Sequence, residues 1–348
     1  MHVAIFLPNW VGDVVMATPA IRALRHRFSG ARFLAVCRPY VTGVLEGSPW
    51  FDARLFLERH GPWAHRWPRV AWHLRRWKID VAVLFPNSIH SALVAWLGRC
   101  KRRIGFDRGG RGWLLTAACT PQRKSNGGFK PSPILDDYNR LAETAGCPWP
   151  GYRMELFTTP ADETAADSVY KKNRIERGDT VICLNPGAAF GAAKFWPADS
   201  FATLAQHLVA MGGVKVLVLC GPNERPQARR IVQSANRSQV VSLAGEPISL
   251  GLTKALIRRA ALLVTTDSGP RHFAAAFNRP VVSLFGPTFI DWTRTFFNKE
   301  ICLQKRVPCG PCQLRVCPTD HACMKLLTPQ EVLAAVQQLL PCPFRKAS

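Results

Sequence analysis

Long hydrophobic runs are missing from this 348-residue sequence. None approaches the ~18 apolar residues that cross a bilayer as a helix, which argues against a membrane-spanning protein. The apolar run at residues 3–7 is too short for the core of a signal peptide. Low-complexity segments and short-period repeats are missing as well. We therefore expect a cytoplasmic globular protein, and its length suits two domains.

Acidic residues are scarce: 23 Asp and Glu face 46 Lys and Arg, so the net charge is +23. The excess is +13 over residues 1–150 and +10 over residues 151–348, rather than concentrated in a tail. Such a charge indicates an anionic partner, and nucleic acid, acidic lipid head groups and phosphorylated glycans all fit. An arginine-rich composition that follows from a genome of high G+C content is the alternative.

Paired cysteine spacings are rare, although the sequence has twelve cysteines. Six that stand in or beside apolar segments predict buried thiols in a reducing compartment: Cys37, Cys100, Cys119, Cys147, Cys183 and Cys220. A C-terminal block contains Cys309, Cys312, Cys317, His321 and Cys323. Only the first two form a Cys-x-x-Cys pair, and zinc usually needs two such pairs. A structural metal, a disulfide and reduced packing thiols therefore remain open there.

In the first half of the chain, short β-branched runs alternate with longer amphipathic stretches. Strands are predicted at residues 3–7, 32–37, 54–57 and 81–85, and helices at 14–28, 62–77, 88–98 and 136–145. This alternation is typical of βαβ units and hence of a parallel sheet. Residues 146–151 break any regular element and indicate a linker.

The second half repeats the alternation. Strands are predicted at residues 181–185, 215–220, 240–243, 262–266 and 281–285, and helices at 199–211, 224–235, 249–260 and 270–277. Thr328 and Glu331 form a capping box, which predicts a last helix ending near residue 340. We expect an α/β protein with two doubly wound domains. The expected divisions are residues 1–150, a linker and entry helix at 151–178, a second domain at 179–327, and a helix and tail at 328–348.

Two glycine-bearing loops in the second half follow predicted strands and indicate an anionic ligand. Residues 265–272 combine a strand end, a small-residue turn and a helix start, which directs backbone N–H groups and the positive helix end at an anion. Residues 185–197 add a second loop with one cation, Lys194. Together they predict a ligand with a diphosphate, such as a nucleotide. Each loop alone is equally typical of local turn and capping chemistry.

Four ordered motifs carry a resemblance to a known family. They are residues 8–20, residues 186–197, residues 267–272 with 279–288, and the Cys-rich block at 309–323. Together they resemble the bacterial ADP-heptose:lipopolysaccharide heptosyltransferases of glycosyltransferase family 9, and residues 9–13 are nearer to the heptosyltransferase II branch. The resemblance implies a GT-B fold, in which two Rossmann-like domains face each other across a cleft. The N-terminal domain would bind the acceptor, and the C-terminal domain would bind the nucleotide sugar.

The resemblance also implies the activity. This is an inverting transfer of heptose from ADP-L-glycero-D-manno-heptose to the inner core of lipopolysaccharide, on an acceptor of the heptosyl-Kdo2-lipid A type. The family places its general base at Asp13, where a carboxylate can take the proton of the acceptor hydroxyl. From the residues alone, a helix N-cap is the favoured interpretation of Asp13, and the resemblance reverses that preference.

The resemblance places the donor on the second domain. The residues implied are Lys194, Glu224, Asp267, Ser268, Gly269 and His272, with Gly187, Ala188 and Ala189 as a pyrophosphate loop. Lys194 would neutralise the pyrophosphate as a compact charge. Asp267 would hold a sugar hydroxyl or fix the turn, and Glu224 would accept ribose hydroxyls. Charge on the departing ADP would be met by Lys194, His272 and the helix end, so no cofactor is expected.

The basic charge fits an anionic inner-membrane surface that carries a phosphorylated lipid A acceptor, and we expect peripheral association with it. Two alternatives remain. A GT-B enzyme that uses another nucleotide sugar is one, because the fold alone does not fix the donor. The other is a basic nucleic-acid-binding protein, but Arg and Lys are scattered through both halves, so no specific nucleic acid is expected.

Overall fold

A computed structural model of the protein describes residues 1–121, 132–176 and 178–340. The chain divides into two units. Unit 1 contains Met1–Leu156 and Asp291–Phe296, and unit 2 contains Phe157–Ile290 and the described chain from Phe297 onward. The predicted tail at residues 341–348 and position 177 of the predicted linker lie outside the described residues.

Unit 1 alternates strands with helices along the chain, as its sequence predicts. Its strands are β1 (His2–Phe6), β2 (Arg32–Cys37), β3 (Ala53–Phe56), β4 (Val81–Leu84), β5 (Arg102–Phe106) and β6 (Ala117–Cys119). Its helices are α1 (Val11–Met16), α2 (Thr18–Arg27), α3 (Trp67–Trp77), α4 (Ile89–Leu97) and α5 (Ile134–Thr144). The strands pair in parallel in the order β3-β2-β1-β4-β5-β6.

The helix predicted at residues 14–28 is wrong in one respect, because the structure has two helices there. Ala17 ends α1, and Thr18 begins α2 with Pro19 as its second residue. Proline has no N–H to donate and is favoured in the first turn of a helix, so a new helix begins at this point. The helix predicted at residues 62–77 likewise begins only at Trp67, again with a proline next to it, Pro68.

Unit 2 repeats this architecture. Its strands are β7 (Thr180–Asn185), β8 (Val214–Val218), β9 (Val240–Ser242), β10 (Leu262–Thr266), β11 (Val281–Phe285) and β12 (Glu300–Gln304). Its helices are α6 (Pro160–Lys172), α7 (Ala198–Ala210), α8 (Arg225–Ala235), α9 (Leu250–Arg259), α10 (Gly269–Ala276), α11 (Ala322–Lys325) and α12 (Pro329–Leu339). The strands pair in parallel in the order β12-β11-β10-β7-β8-β9. The predicted capping box at Thr328 and Glu331 opens α12.

Each sheet has one point where the strand order reverses, between β1 and β4 in unit 1 and between β7 and β10 in unit 2. Loops that leave the two neighbouring strands diverge there and open a crevice at the carboxyl ends, which is where doubly wound proteins bind ligands. In unit 1 these loops begin at Leu7 and Phe85, and in unit 2 at Pro186 and Asp267. The fold therefore marks one candidate site in each unit.

The cores lie on both faces of these sheets. Every residue of β4 and β10 is buried, and below α3 and α4 an apolar cluster joins helix residues such as Leu74 and Val94 to strand residues such as Phe6 and Leu84. Across the ranges that the structure describes, we find no helix with both the length and the apolar character to cross a bilayer.

Candidate active site

Asp13 lies at the switch point of unit 1, where β1 gives way to α1. It is the third residue of α1 and is half-buried. The N-cap of α1 is Trp10, so Asp13 is not the N-cap that its sequence context allows. Asp13 lines a cavity of about 210 Å³, as a reacting carboxylate must.

The cavity around Asp13 combines carboxyl groups with aromatic rings. Its walls include Asn9, Trp10, Phe85, Asp137 and Tyr138. Burial, and then the negative charge of Asp13, raises the pKa of Tyr138 well above its usual value. Tyr138 therefore stays a neutral hydroxyl beside Asp13. Burial also raises the pKa of Asp137, a second carboxyl group that the sequence analysis did not single out.

A second cavity of unit 1, of about 450 Å³, opens beside the first at the ends of β1, β2 and β4. Arg38 and Arg59 line it and bring two positive charges. The pKa of His90, also in this wall, is lowered by burial and then by Arg59. Asn9 and Ser88 line both cavities, so a cationic cavity adjoins the one that contains Asp13.

Arg111 supports the wall that the two cavities share. Its guanidinium donates to the carbonyl oxygens of Pro86 at 2.5 Å, Ser88 at 3.1 Å and Phe106 at 2.9 Å. The side chain is fully buried, and burial lowers its pKa to about 10. Sequence reasoning missed Arg111 because it follows a pair of glycines in a loop, where no periodic pattern marks a buried residue.

In unit 2, Lys194 and Asp267 meet at the switch point between β7 and β10. The Lys194 ammonium lies 2.5 Å from Asp267 Oδ2 and donates to the Asp267 carbonyl at 3.0 Å. Thr288 donates to the same carboxylate at 2.7 Å. Burial opposes ionisation of Asp267, but the positive charges of Lys194 and Arg271 outweigh it, so the pKa of Asp267 lies below its usual range. The ion pair ties together the two loops that the sequence predicts as an anion site.

Arg271 anchors α10 behind this pair. Its Nε lies 2.5 Å from Glu300 Oε1, and the Ser283 hydroxyl donates to the same oxygen at 2.6 Å. Burial opposes the charge of Arg271, but Glu300 outweighs it and raises the pKa of Arg271. The sequence has no signal for this contact because Glu300 begins β12, a strand that was not predicted.

Gly187, the first glycine after β7, is the point of closest packing in the predicted donor loop. A Cβ at this position would lie 2.0 Å from the Glu224 carboxylate. The Thr266 hydroxyl donates to the Gly187 carbonyl at 2.7 Å, and the Asn185 amide donates to the Ser268 hydroxyl at 3.0 Å. The structure thus brings Gly187, Glu224 and Ser268 together, although they follow three different strands.

The other predicted donor residues belong to the same two loops. Ala188 is buried and Ala189 is exposed, both on the loop after β7. Gly269 opens α10, with Ser268 as its N-cap. In this first turn Pro270 has no N–H, and the Arg271 N–H donates to the Ser268 carbonyl at 3.2 Å. The N–H groups of Ser268 and Gly269 stand before the intrahelical hydrogen bonds begin, which is the usual basis of anion binding at a helix start.

His272 differs from its expected role as a positive group beside the diphosphate. Its side chain is buried within α10, and burial, followed by the charge of Arg271, lowers its pKa to about 3. His272 is therefore neutral near pH ~7 and offers a hydrogen bond rather than a charge. Within the described residues, its Nδ1 has no hydrogen-bond partner.

Replacing His272 by Asn is expected to flatten the pH dependence of the free energy of unfolding. In the unfolded chain histidine titrates near pH ~6.5, whereas in the fold His272 stays neutral down to about 3. Between these values the unfolded state binds more protons, so the parent loses stability as pH falls, by about 2 kcal/mol at pH ~5 from this group. Urea unfolding of both proteins at pH ~7 and pH ~5 measures the difference. Equal losses in the two proteins would contradict a neutral buried His272.

The C-terminal Cys-rich segment packs against the loop that carries Lys194. The Ala193 N–H donates to the Arg315 carbonyl at 3.0 Å, and the His321 ring Nε2 lies 2.8 Å from the Ala193 carbonyl. Gly191 comes even closer, since a Cβ there would lie 2.3 Å from the Arg315 carbonyl oxygen. This segment therefore positions the loop that carries Lys194.

The thiols of that segment line a cavity of about 50 Å³ with His321: Cys309, Cys312, Cys317 and Cys323. Each cysteine that the structure describes is a free thiol, so the disulfide considered for this block is not formed. In the same described ranges, no three side chains of His, Cys, Asp or Glu are grouped so that they hold a metal ion.

Gly191→Ala is expected to displace the donor loop. The added methyl group meets a backbone carbonyl rather than a movable side chain, so the loop must shift. We expect ADP affinity to fall about 10-fold, the effect of losing roughly 1.4 kcal/mol of positioning. Calorimetric titration with ADP measures this, and Gly245→Ala is the control because a Cβ there meets nothing within 4 Å. Unchanged ADP affinity in Gly191→Ala would show that the Cys-rich segment does not position the loop.

Two doubly wound parallel sheets, each with polar loops at its switch point, are the architecture of glycosyltransferases with the GT-B fold. A family model described as Glycosyltransferase family 9 (heptosyltransferase) matches residues 67–323. The chain belongs to this family.

Relatives and solved structures agree with the assignment. Lipopolysaccharide heptosyltransferase 2 of Escherichia coli strain K12 is 29% identical over 98% of this chain and 99% of its own length. Lipooligosaccharide heptosyltransferase 2 of Campylobacter jejuni is 26% identical over 98% of each chain. The structure of E. coli ADP-heptose lipopolysaccharide heptosyltransferase II matches with a TM-score of 0.79 at 26% identity, over 98% of this chain and 99% of that one. The predicted GT-B class, family and glycosyltransferase activity are confirmed.

Proposed function

We propose that the protein transfers the heptosyl group of ADP-L-glycero-D-manno-heptose to the inner core of lipopolysaccharide, with inversion at the anomeric carbon. The observation that carries the proposal is Asp13, in a cavity of unit 1 that adjoins a second cavity lined by Arg38 and Arg59. Asp13 would take the proton of the acceptor hydroxyl. Arg38 and Arg59 would bind the acidic groups of a phosphorylated glycolipid of the heptosyl-Kdo2-lipid A type. Residues 1–150 would bind this acceptor and residues 179–327 the donor. Residues 151–178 would be a linker and entry helix, and residues 328–348 a helix and tail.

In the proposed step, Asp13 accepts the proton of the acceptor hydroxyl while that oxygen attacks the anomeric carbon. The new C–O bond forms on the face opposite the bond to the diphosphate. That older bond breaks, and its electron pair leaves on ADP. One displacement of this kind inverts the configuration, and the proton on Asp13 is then released to solvent.

We assign the donor to the loops of unit 2. The diphosphate would accept hydrogen bonds from Lys194 and from the N–H groups of Ser268 and Gly269 at the start of α10. The same groups would stabilise the negative charge that develops on the departing ADP. Asp267 would hold Lys194 in place, as their 2.5 Å contact supports. Glu224 would accept ribose hydroxyls, and the step would need no cofactor.

We also propose that the protein works at the inner face of the cytoplasmic membrane, as a peripheral protein. The acceptor is anchored there by acyl chains, and the protein carries a net charge of +23. A basic residue near an anionic membrane surface contributes about 1 kcal/mol of attraction. That attraction would keep the enzyme near its acceptor.

Product masses test the proposed function. The purified protein is incubated with ADP-heptose and one acceptor in each of two parallel reactions. One acceptor is truncated before the first heptose, and the other is truncated after it. We expect one heptosyl unit on the acceptor that already carries a heptose, and no product from UDP-glucose or other nucleotide sugars. Transfer from a different nucleotide sugar, or turnover with neither acceptor, would overturn the proposal.

A further inference from the structure

The outer surface of α3 and α4 in unit 1 combines exposed tryptophans with basic residues. Together with Arg99, which follows α4, and Trp113, in the turn at residues 112–114, we call it the Trp/Arg face. It is defined by Arg69, Trp72, Arg76, Trp96, Arg99 and Trp113. The inner side of α3 already packs against the sheet, because Val70 and Leu74 are buried in the apolar cluster below. The tryptophans therefore do not contribute to the core of unit 1.

The Trp/Arg face is continuous across the two helices. Arg76 stacks on Trp72, with 4.8 Å from guanidinium to ring centroid, and the neighbouring Arg75 donates to the Leu97 carbonyl at the end of α4 at 2.6 Å. Trp96 in α4 packs edge to face with Trp113, at 6.3 Å between centroids. Trp96 and Trp113 thus form a pair, and the Arg75 hydrogen bond joins α3, which carries Trp72, to the end of α4, which carries Trp96.

Exposure of these indoles is high. Trp72 is 40% exposed, Trp96 45% and Trp113 69%. Single exposed apolar residues are common on proteins, but a group of tryptophans on one surface marks a site of interaction. Trp is enriched where one side of a surface is apolar and the other is wet, above all at the head-group level of membranes.

The charge of this region is mostly positive. Residues 67–114, from the start of α3 to the turn with Trp113, contain ten Lys and Arg and two carboxylates, Asp80 and Asp107. Asp80 lies 2.8 Å from Lys101. A shallow depression of about 500 Å³ beside Trp96 is lined by Arg75, Arg99, Lys101 and Arg103. Its size and charge suit phosphate groups at a surface.

We propose that the Trp/Arg face docks unit 1 on an anionic phospholipid bilayer. Trp72, Trp96 and Trp113 lie at head-group level, while the arginines around them contact lipid phosphates. The proposal rests on the proposed function, because a lipid-anchored acceptor requires an enzyme that reaches the membrane surface. It refines the expectation of a purely electrostatic association, since the indoles add an apolar contribution.

The same charge would attract a nucleic acid, but the rings favour a bilayer. Binding of single strands depends on aromatic faces on which bases stack. The ring of Trp72 is already contacted by the guanidinium groups of Arg69 at 4.5 Å and Arg76 at 4.8 Å. Trp96 and Trp113 pack against each other instead of standing alone.

Two variants test the docking surface by co-sedimentation with vesicles of phosphatidylcholine, with and without phosphatidylglycerol. Arg76→Gln/Arg99→Gln removes two charges and is expected to weaken partitioning onto anionic vesicles by about 30-fold. Trp72→Ala/Trp96→Ala/Trp113→Ala should weaken it by about 10-fold or more. The matched controls are Lys171→Gln/Arg237→Gln, two exposed basic residues of unit 2, and Trp149→Ala, which is 41% exposed in unit 1. Both controls should bind as the parent does.

A second readout separates docking from chemistry. Heptosyl transfer to a deacylated, water-soluble acceptor should be the same in the parent and in both face variants. If the face variants partition like the parent, or if single-stranded DNA but not vesicles binds the parent through these residues, the docking proposal is overturned. If the parent lacks heptosyl transfer altogether, the proposed function fails, while the vesicle results still decide the docking surface.

Discussion

Asp13→Asn is expected to lower turnover by about 100- to 10,000-fold, the range that a general base contributes. Asparagine keeps the size of the side chain and its hydrogen-bonding shape but cannot take the proton of the acceptor hydroxyl. Donor affinity should be unchanged, because Asp13 belongs to unit 1 and the proposed donor loops belong to unit 2. Initial rates of ADP release, together with calorimetric titration of ADP, measure both quantities.

Asp137→Asn is the matched control for this experiment. The substitution converts the other carboxyl group of the same cavity to an amide. In the parent, the Asp137 carboxylate lies 3.3 Å from the Arg108 guanidinium. We expect a much smaller loss of turnover, within about 10-fold, because Asp137 is not proposed to take the proton. Turnover of Asp13→Asn within a few-fold of the parent would mean that Asp13 does not act as the base.

Lys194→Ala is expected to weaken ADP binding by about 10- to 100-fold, which corresponds to a charged hydrogen bond of roughly 1.5–3 kcal/mol. The change removes a cation and also leaves the Asp267 carboxylate, 2.5 Å away in the parent, without it. A bound diphosphate then meets a negative charge that Lys194 no longer offsets. AMP carries fewer charges and should lose less affinity. Calorimetric titration with ADP and AMP compares the two ligands.

The double variant Lys194→Ala/Asp267→Asn separates the two effects. Removing the carboxylate as well should restore part of the ADP affinity that Lys194→Ala loses, because the repulsion disappears. Lys305→Ala is the control for a lysine in a more exposed ion pair, with Glu331, and should bind ADP as the parent does. Equal losses for ADP and AMP in Lys194→Ala would exclude a contact with the diphosphate.

The sequence predicts most of the sheet architecture because the central strands are buried on both faces and therefore appear as continuous apolar runs. β5, β6 and β12 lack this signal. β5 begins with Arg102 and Arg103, β6 has only three residues, and β12 is half-buried along its length. All three lie at or next to the edge of a sheet. Strands there are less buried, so fewer of their residues need to be apolar.

The residues of the candidate site also fall into two groups: those that the sequence predicts and those that it does not. Loops with glycine after a strand identify Lys194 and Asp267, because turn chemistry is local. The contacts that hold these loops are not local: Arg271 meets Glu300, and Arg111 supports Pro86 and Ser88, through contacts between distant parts of the chain. The charge state of His272 also depends on burial, which its sequence neighbours do not reveal.

In the proposed reaction one displacement, assisted by Asp13, moves heptose from ADP to the acceptor. Nuclear magnetic resonance of the purified product measures the outcome through the one-bond carbon–hydrogen coupling at the new anomeric centre. We expect a single added heptosyl unit whose anomeric configuration is opposite to that in the donor. A product that retains the donor configuration would contradict it, because retention requires two displacements or a different geometry of attack.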